Sequence, residues 1–216
     1  MLDYEKGIYK KGYKMIVGCD EAGRGPLCGP VVCASCILPT YYQNEMINDS
    51  KKLTDKKRRV LFEEIKKVAI AYSIVAISPE EIDQINIYEA SRKGMTLAIK
   101  NLNVRPDYIL TDCMPLLEFP NIPQENLVKG DAKAMCIAAA SILAKVTRDN
   151  LLDELDKEYP QYNLKKHKGY PTKEHIELLN KFGPIKGIYR YSYKPVLLAS
   201  LEKISFEIFI LHPPFL

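Results

Sequence analysis

The sequence predicts an α/β fold, a mixed central sheet flanked by helices. Three observations lead there. Two apolar stretches, 15–20 (MIVGCD) and 30–38 (PVVCASCIL), come early and read as buried strands. From residue 55 onward, segments with apolar residues at helical spacing alternate with short strand-like ones. A long stretch after residue 131 is rich in alanine, whose small side chain lets a helix pack closely on a sheet. Strands first, then helices alternating with strands, is the pattern of a mixed α/β sheet.

The elements follow in order. Between the first two strands lies the turn DEAGRGPLCG. Residues 55–69 carry Val60, Leu61, Ile65 and Val68 at helical spacing, with Thr54 placed to cap the helix. Residues 71–77 (AYSIVAI) read as a strand, 87–102 as a helix and 107–112 (DYILTD) as a strand after Pro106. A short strand is expected near 125–128. A long helix is expected from Asp131 to about Glu158, with Met135, Ala139, Ile142 and Val146 on its apolar face. Proline and glycine break up 159–195.

The 216 residues are 47% hydrophobic and 27% charged, which is globular composition and argues against disorder. A chain of this size buries roughly 70% of its unfolded surface. That supports one full core with at most a small appended subdomain. The longest apolar run, Ala134 to Ala144, is too short to span a bilayer and contains Ser141. The first residues, MLDYEKGIYKKGYK, lack the apolar region of a secretory signal. No membrane association is expected, and the six cysteines, most within apolar stretches, read as buried free thiols of a cytoplasmic protein. Cys33 and Cys36 are spaced like a zinc pair, but three residues along a strand place side chains on opposite faces. A shared zinc ion is therefore not expected.

The net charge of +4 is unevenly spread. Residues 51–59 hold six positive residues and one negative, net +5. Residues 161–195 hold eight positive and two negative, net +6, interleaved with Tyr162, Tyr170, Phe182, Tyr189, Tyr191 and Tyr193. Cations among aromatics suit a phosphate backbone and stacked bases or sugars. Composition alone fits a solvated face with half-buried tyrosines equally well.

Against this basic background, Asp20 and Glu21 close the first strand, Asp112 ends a later one, and Asp131 stands where the long helix begins. Singly these read as turn formers and, for Asp131, as a helix N-cap. Jointly they fall where open α/β sheets build their sites, beyond strand ends and at helix starts. Acidic groups gathered there repel one another, and an all-oxygen set suits Mg²⁺ or Mn²⁺ rather than zinc. Facing a phosphodiester, such a site suits two-metal hydrolysis. Asp20 and Glu21 are adjacent, so both are expected to reach one site only if the strand ends at Asp20 and the turn redirects Glu21. A dinucleotide-loop reading of Gly23-Arg24-Gly25 fails, because Cys28 stands at the third glycine's place and Pro26 removes a donor. The glycines instead let the backbone approach a small polar target such as a sugar.

The run Cys19-Asp20-Glu21-Ala22-Gly23-Arg24-Gly25-Pro26, followed by Gly29-Pro30-Val31, closely resembles the signature of the type 2 ribonucleases H (ribonuclease HII). Three further blocks match in order: Asp49 to Thr54; Gly130 to Lys133 with 137–142 and 145–149; and His167 to Thr172 with His175. The resemblance covers about 14–197. It implies a ribonuclease-H-like catalytic core over 1–160 and a C-terminal helical, substrate-binding subdomain over 161–216 packed on that core. It implies an endonuclease that cuts the RNA strand of RNA–DNA hybrids and single ribonucleotides in duplex DNA, serving ribonucleotide removal in replication and repair. The products would carry a 3′-hydroxyl and a 5′-phosphate. Asp20, Glu21, Asp112 and Asp131 would be the catalytic, metal-holding carboxylates for Mg²⁺ or Mn²⁺. Gly23, Arg24 and Gly25 would read the ribose 2′-hydroxyl, the group that separates RNA from DNA. Tyr170 would pack on the adjoining deoxyribose, although from the residues alone a half-buried core tyrosine fits as well. Ser50, Lys51, Lys168, Arg190 and Ser192 complete the implied substrate contacts, and a monomer is expected.

Departures from the family pattern are Cys28, where alanine is usual, and Tyr189 to Tyr193, in place of a block richer in histidine and arginine. His167 and His175 would touch phosphate or cap helices, and neither is expected to act as a general base. Residues 198–216 match little and end in an apolar tail. Two other classes remain on the residues: a non-catalytic nucleic-acid-binding module, which leaves the placed carboxylates without a role, and a small-molecule enzyme with a nucleotide cofactor, which the glycine spacing disfavours.

Overall fold

The computed structural model describes residues 2–47 and 53–201. Five strands form one sheet in the order β3-β2-β1-β4-β5. They are β1 (Ile16–Ala22), β2 (Val31–Ile37), β3 (Ala71–Ile77), β4 (Tyr108–Asp112) and β5 (Gln124–Leu127). The first three pair antiparallel and β1, β4 and β5 pair parallel, so the sheet is mixed as expected. The helices are α1 (Leu2–Lys10), α2 (Asp55–Val68), α3 (Pro79–Lys100), α4 (Met135–Glu158), α5 (Leu164–His167) and α6 (Lys173–Phe182). Residues 194–201 are also helical.

Every residue of β2 is buried, because both faces of the sheet are covered. On one face Val32, Ala34 and Cys36 pack with α2 and the alanine-rich half of α4. On the other Val31, Cys33 and Ile37 pack with Ile82, Met95 and Ile99 of α3. Cys33 and Cys36 thus stand on opposite faces, as the strand period requires. α4 reaches the sheet most closely at Gly18, where a Cβ would lie 2.2 Å from the backbone carbon of Cys136.

Thr54 caps α2 by accepting from the Lys57 amide, and Leu61 and Ile65 are its buried residues while Val60 stays exposed. α3 starts eight residues earlier than the 87–102 helix read from the sequence, with Ser78 as N-cap and Pro79 at its first turn. Its two parts meet at Asn86, which has φ 67° and ψ 165°. The Asn86 Oδ1 accepts from the amides of Tyr88 and Glu89 at 2.9 and 3.1 Å and so starts the second part as an internal cap.

Two expectations about the acidic elements are corrected. β1 does not end at Asp20; it runs to Ala22, with Asp20 and Glu21 paired to Ala34 and Cys33. Nor does Asp131 cap the long helix. It lies in a short 3₁₀ turn, Gly130–Ala132, and α4 begins at Met135 after Ala134, which offers no side-chain cap. The amide of Cys136 is met instead by the buried Glu5 carboxylate of α1, at 2.9 Å.

Candidate active site

β1 and β4 run parallel and side by side, so their C-terminal ends bring Asp20 and Asp112 to one edge of the sheet. Asp20 points toward α4, where the Ser141 hydroxyl donates to it, and its Oδ1 also accepts from the Glu21 amide at 2.8 Å. Glu21 starts toward the opposite face. Its longer side chain nevertheless lines the same cleft. The cleft has a volume of about 240 Å³ and is bordered by Asp20, Glu21 and Asp112 together with the Gly23–Arg24–Gly25 turn, Ser141, Lys145, Arg148 and Tyr170.

Three of the four predicted carboxylates therefore share one cleft. Asp131 is buried beside it, on the turn whose Gly130 amide donates to Asp112 Oδ1 at 2.9 Å. Burial, followed by the negative charges of Glu21 and Asp112, holds the Asp20 carboxyl well above the ordinary carboxylate range. A hard divalent cation is the natural relief of that repulsion, and the donors are all oxygens. Among the described residues no three acidic, histidine or cysteine side chains are drawn into a closed ion cage. The set fits a cation in chemistry and charge, with Asp20, Glu21 and Asp112 able to hold it and Asp131 adjoining.

The residues that the resemblance assigns to the substrate divide. Arg24 lines the cleft and pairs with Glu21 at 3.4 Å. A Cβ on Gly25 would lie 3.5 Å from Tyr170 Cε1, so the turn and the tyrosine face one another. Tyr170 is 45% exposed, whereas Tyr162 and Tyr189 are core residues, as a structural reading of the aromatic stretch allowed. Lys168 is tied to Asp153, and Ser192 donates to Asp83 at 2.6 Å, so neither lines the cleft. Arg190 is corrected: it is fully buried and cannot touch a substrate. Its guanidinium donates to the carbonyls of Gly23, Arg24 and Gly29 and holds the turn from behind. Ser50 and Lys51, and the apolar tail, lie outside the described residues.

Three residues missed from the sequence, Ser141, Lys145 and Arg148, line the cleft from one face of α4. The signal was their spacing of four and three residues beside the acidic strand ends. Lys145 is paired with Asp149 at 2.6 Å.

His167 and His175 are buried and stacked, with centroids 4.1 Å apart, which removes them from phosphate contact. His175 Nδ1 lies 2.9 Å from the Tyr170 carbonyl, and the Tyr170 amide donates to the His167 carbonyl, so the pair braces the segment that carries Tyr170. Burial holds both imidazoles below their usual range, His175 down to about 4. In the unfolded chain they titrate near 6.5. Between those values the unfolded state binds more protons, so their contribution to stability is complete above pH 6.5 and falls as pH drops toward 4. A urea-denaturation series from pH 7.5 to 4.5 should show this slope. His175→Asn should flatten it, and an unchanged slope would show that the acid sensitivity lies elsewhere.

The fold and this acidic cleft define a nuclease with the ribonuclease-H-like architecture. The model of the family described as ribonuclease HII matches residues 17–196. A ribonuclease HII from Acetivibrio thermocellus is 52% identical over 193 residues, covering 89% of this chain and 75% of the relative. One from Acholeplasma laidlawii is 49% identical over 195 residues, covering 90% and 95%. The crystal structure of the ribonuclease H2 from Pyrococcus horikoshii is similar with a TM-score of 0.74 at 26% identity, covering 87% of this chain and 97% of that one. The chain belongs to the ribonuclease HII family. It is a metal-dependent ribonuclease H, an endonuclease acting on RNA–DNA hybrids. No helix among the described residues is long and apolar enough to cross a membrane.

Proposed function

We propose that the chain also cuts duplex DNA at single embedded ribonucleotides, leaving a 3′-hydroxyl and a 5′-phosphate, in ribonucleotide removal during DNA replication and repair. The observation that carries this reading is the facing pair at the cleft: the Gly23–Arg24–Gly25 turn on one side and the exposed Tyr170 ring against Gly25 on the other. A ribose lying on the turn puts its 2′-hydroxyl against main-chain groups, and the next sugar then meets the ring. A deoxyribose packs on that ring without the bulk of a hydroxyl, so one ribonucleotide followed by DNA suffices. Asp20, Glu21, Asp112 and Asp131 are the four carboxylates of the reading. Bound Mg²⁺ or Mn²⁺, two ions in this reading, would activate the attacking water and stabilise charge on the scissile phosphate. Asp20, fixed by Ser141 and the Glu21 amide, holds its oxygens at the cleft wall. Asp112 is oriented by Gly130.

Residues 161–216 serve in this reading as the substrate-binding subdomain. Tyr162, Leu164, Leu179 and Tyr189 form a core with Leu27, Cys28 and Leu152, so this region backs the recognition turn. Lys168 and Ser192, which lie outside the cleft, would meet the duplex backbone, and Ser50 and Lys51 are further substrate contacts of this reading. The reading places the protein in the cytoplasm as a monomer.

The test is a duplex DNA with one ribonucleotide, incubated with the protein and Mg²⁺ or Mn²⁺. A single nick at the ribonucleotide, leaving a 3′-hydroxyl and a 5′-phosphate, is expected. Cleavage of an RNA–DNA hybrid but not of this duplex would overturn the proposal. Binding of both without cleavage would mark a binding module.

A further inference from the structure

Two arginines, Arg148 in α4 and Arg190 in the basic stretch 161–195, are buried. Arg148 and Arg190 are 1% and 0% exposed, and among the described residues neither guanidinium has a carboxylate in ion-pair range. A buried cation without a counter-ion persists only if its donors are well used. Arg190 spends its donors on the turn from Gly23 to Gly29 and on the nearby Tyr193 hydroxyl at 3.0 Å. Arg148 spends them on two segments. Its Nε and one terminal nitrogen donate to the carbonyls of Pro30 and Cys28, at 3.3 and 3.1 Å, and the other terminal nitrogen donates to the Lys168 carbonyl at 3.0 Å. The first two carbonyls belong to the loop that carries Gly23–Arg24–Gly25, the third to the segment that carries Tyr170.

Contact is close along the stem as well. A Cβ on Gly23, which has φ 103°, would lie 2.2 Å from Arg148 Nε. The same two segments meet directly where the Leu27 amide donates to the Gly169 carbonyl at 2.8 Å. What Arg148 adds is a reference to α4. Seven residues earlier on the same helix face, Ser141 holds Asp20. Two turns of helix, about 10 Å, therefore separate the anchor of the carboxylates from the anchor of the recognition loops.

We propose that Arg148 is a specificity-positioning residue: its planar guanidinium sets the spacing between the ribose-reading turn and Tyr170, and so sets selection for a ribose followed by a deoxyribose. This rests on the reading of the turn and Tyr170 given above. Lysine keeps the charge but has one nitrogen on a flexible stem and cannot span both segments in a fixed fork.

The experiment compares kcat/KM on a duplex with one ribonucleotide and on an all-RNA strand paired with DNA, for the natural protein, Arg148→Lys, Tyr170→Ala and the double variant. Because both substrates are measured on one preparation, their ratio does not depend on the fraction folded. Arg148→Lys should lower the ratio of single-ribonucleotide to hybrid cleavage roughly tenfold to a hundredfold, the scale expected for a displacement of about 1 Å at a recognition site. The double variant should fall no further than Tyr170→Ala alone. Equal losses on both substrates for Arg148→Lys, with a ratio change for Tyr170→Ala, would overturn the positioning role and leave the junction reading intact. A natural ratio in Tyr170→Ala would overturn the junction reading and this inference with it.

Discussion

Asp20→Asn should lower kcat by about three orders of magnitude and, in the absence of divalent cation, raise the melting temperature. The two effects have one cause. Asp20 is 5% exposed, and burial together with the charges of Glu21 and Asp112 opposes its ionisation. Asparagine has nearly the same shape. Its side-chain oxygen can still accept from the Glu21 amide, which donates to Asp20 at 2.8 Å. The substitution therefore removes a buried negative charge and leaves the packing in place. Relief of that repulsion should raise the melting temperature by roughly 2–4 °C, the shift that ~1 kcal/mol produces in a chain of this size. The loss of activity follows because a cation at a phosphoryl site supplies several kcal/mol, and each ~1.4 kcal/mol is tenfold in rate. Calorimetry in chelator and single-turnover cleavage with Mg²⁺ read the two effects separately. The natural protein should also gain stability on adding Mg²⁺ by mass action, and the variant should gain less. Near-natural turnover would remove Asp20 from the catalytic set, and a lower melting temperature in chelator would show that its charge is stabilised by its surroundings.

How far the site could be read in advance depended on the range of the forces involved. The strands and helices were legible because their signals are local: Thr54 before an amphipathic run, and apolar stretches at 15–20 and 30–38. The convergence of Asp20 and Asp112 was legible from their places near the C-terminal ends of their strands, where open α/β sheets build sites, although β1 continues two residues past Asp20. The resemblance put Asp131 in the acidic set and it lies buried beside the cleft, but its helix-capping role was a misreading, since the residues after it form a separate turn before α4. The first part of α3 was missed although Ser78-Pro79-Glu80-Glu81 is a helix-start pattern, because Asn86 interrupts the apolar period. Arg148 and Arg190 were illegible for a different reason. In composition a buried arginine looks like any surface cation, and the carbonyls that satisfy Arg190 lie up to 167 residues away. Only the folded chain shows that one arginine of the basic stretch at 161–195 supports the recognition turn from within.

Gly18→Ala should cost stability and catalysis together. Gly18 lies in the middle of β1, paired to Cys36 on one side and Leu110 on the other, so the strand cannot shift without breaking two ladders. A Cβ there would stand 2.2 Å from the carbonyl carbon of Cys136, 2.4 Å from its oxygen and 2.4 Å from the Ile137 amide nitrogen. These are backbone atoms in the first turn of α4, and no rotamer change can move them aside. The helix itself must lift off the sheet. Overpacking in a core typically costs ~1–3 kcal/mol, and a clash that moves a whole helix belongs at or above the top of that range. A fall in melting temperature of roughly 6–12 °C is expected at about 3 kcal/mol. The catalytic consequence comes from the same displacement, because α4 carries Ser141 against Asp20 and Arg148 against both recognition loops. A shift of about 1 Å at the start of α4 separates the carboxylates from the Gly23–Arg24–Gly25 turn, and misplacement of that size costs up to about a hundredfold in rate. Cleavage measured well below the variant's melting temperature separates this geometric loss from simple unfolding. Full activity in the folded Gly18→Ala protein would show that the position of α4 does not govern the cleft.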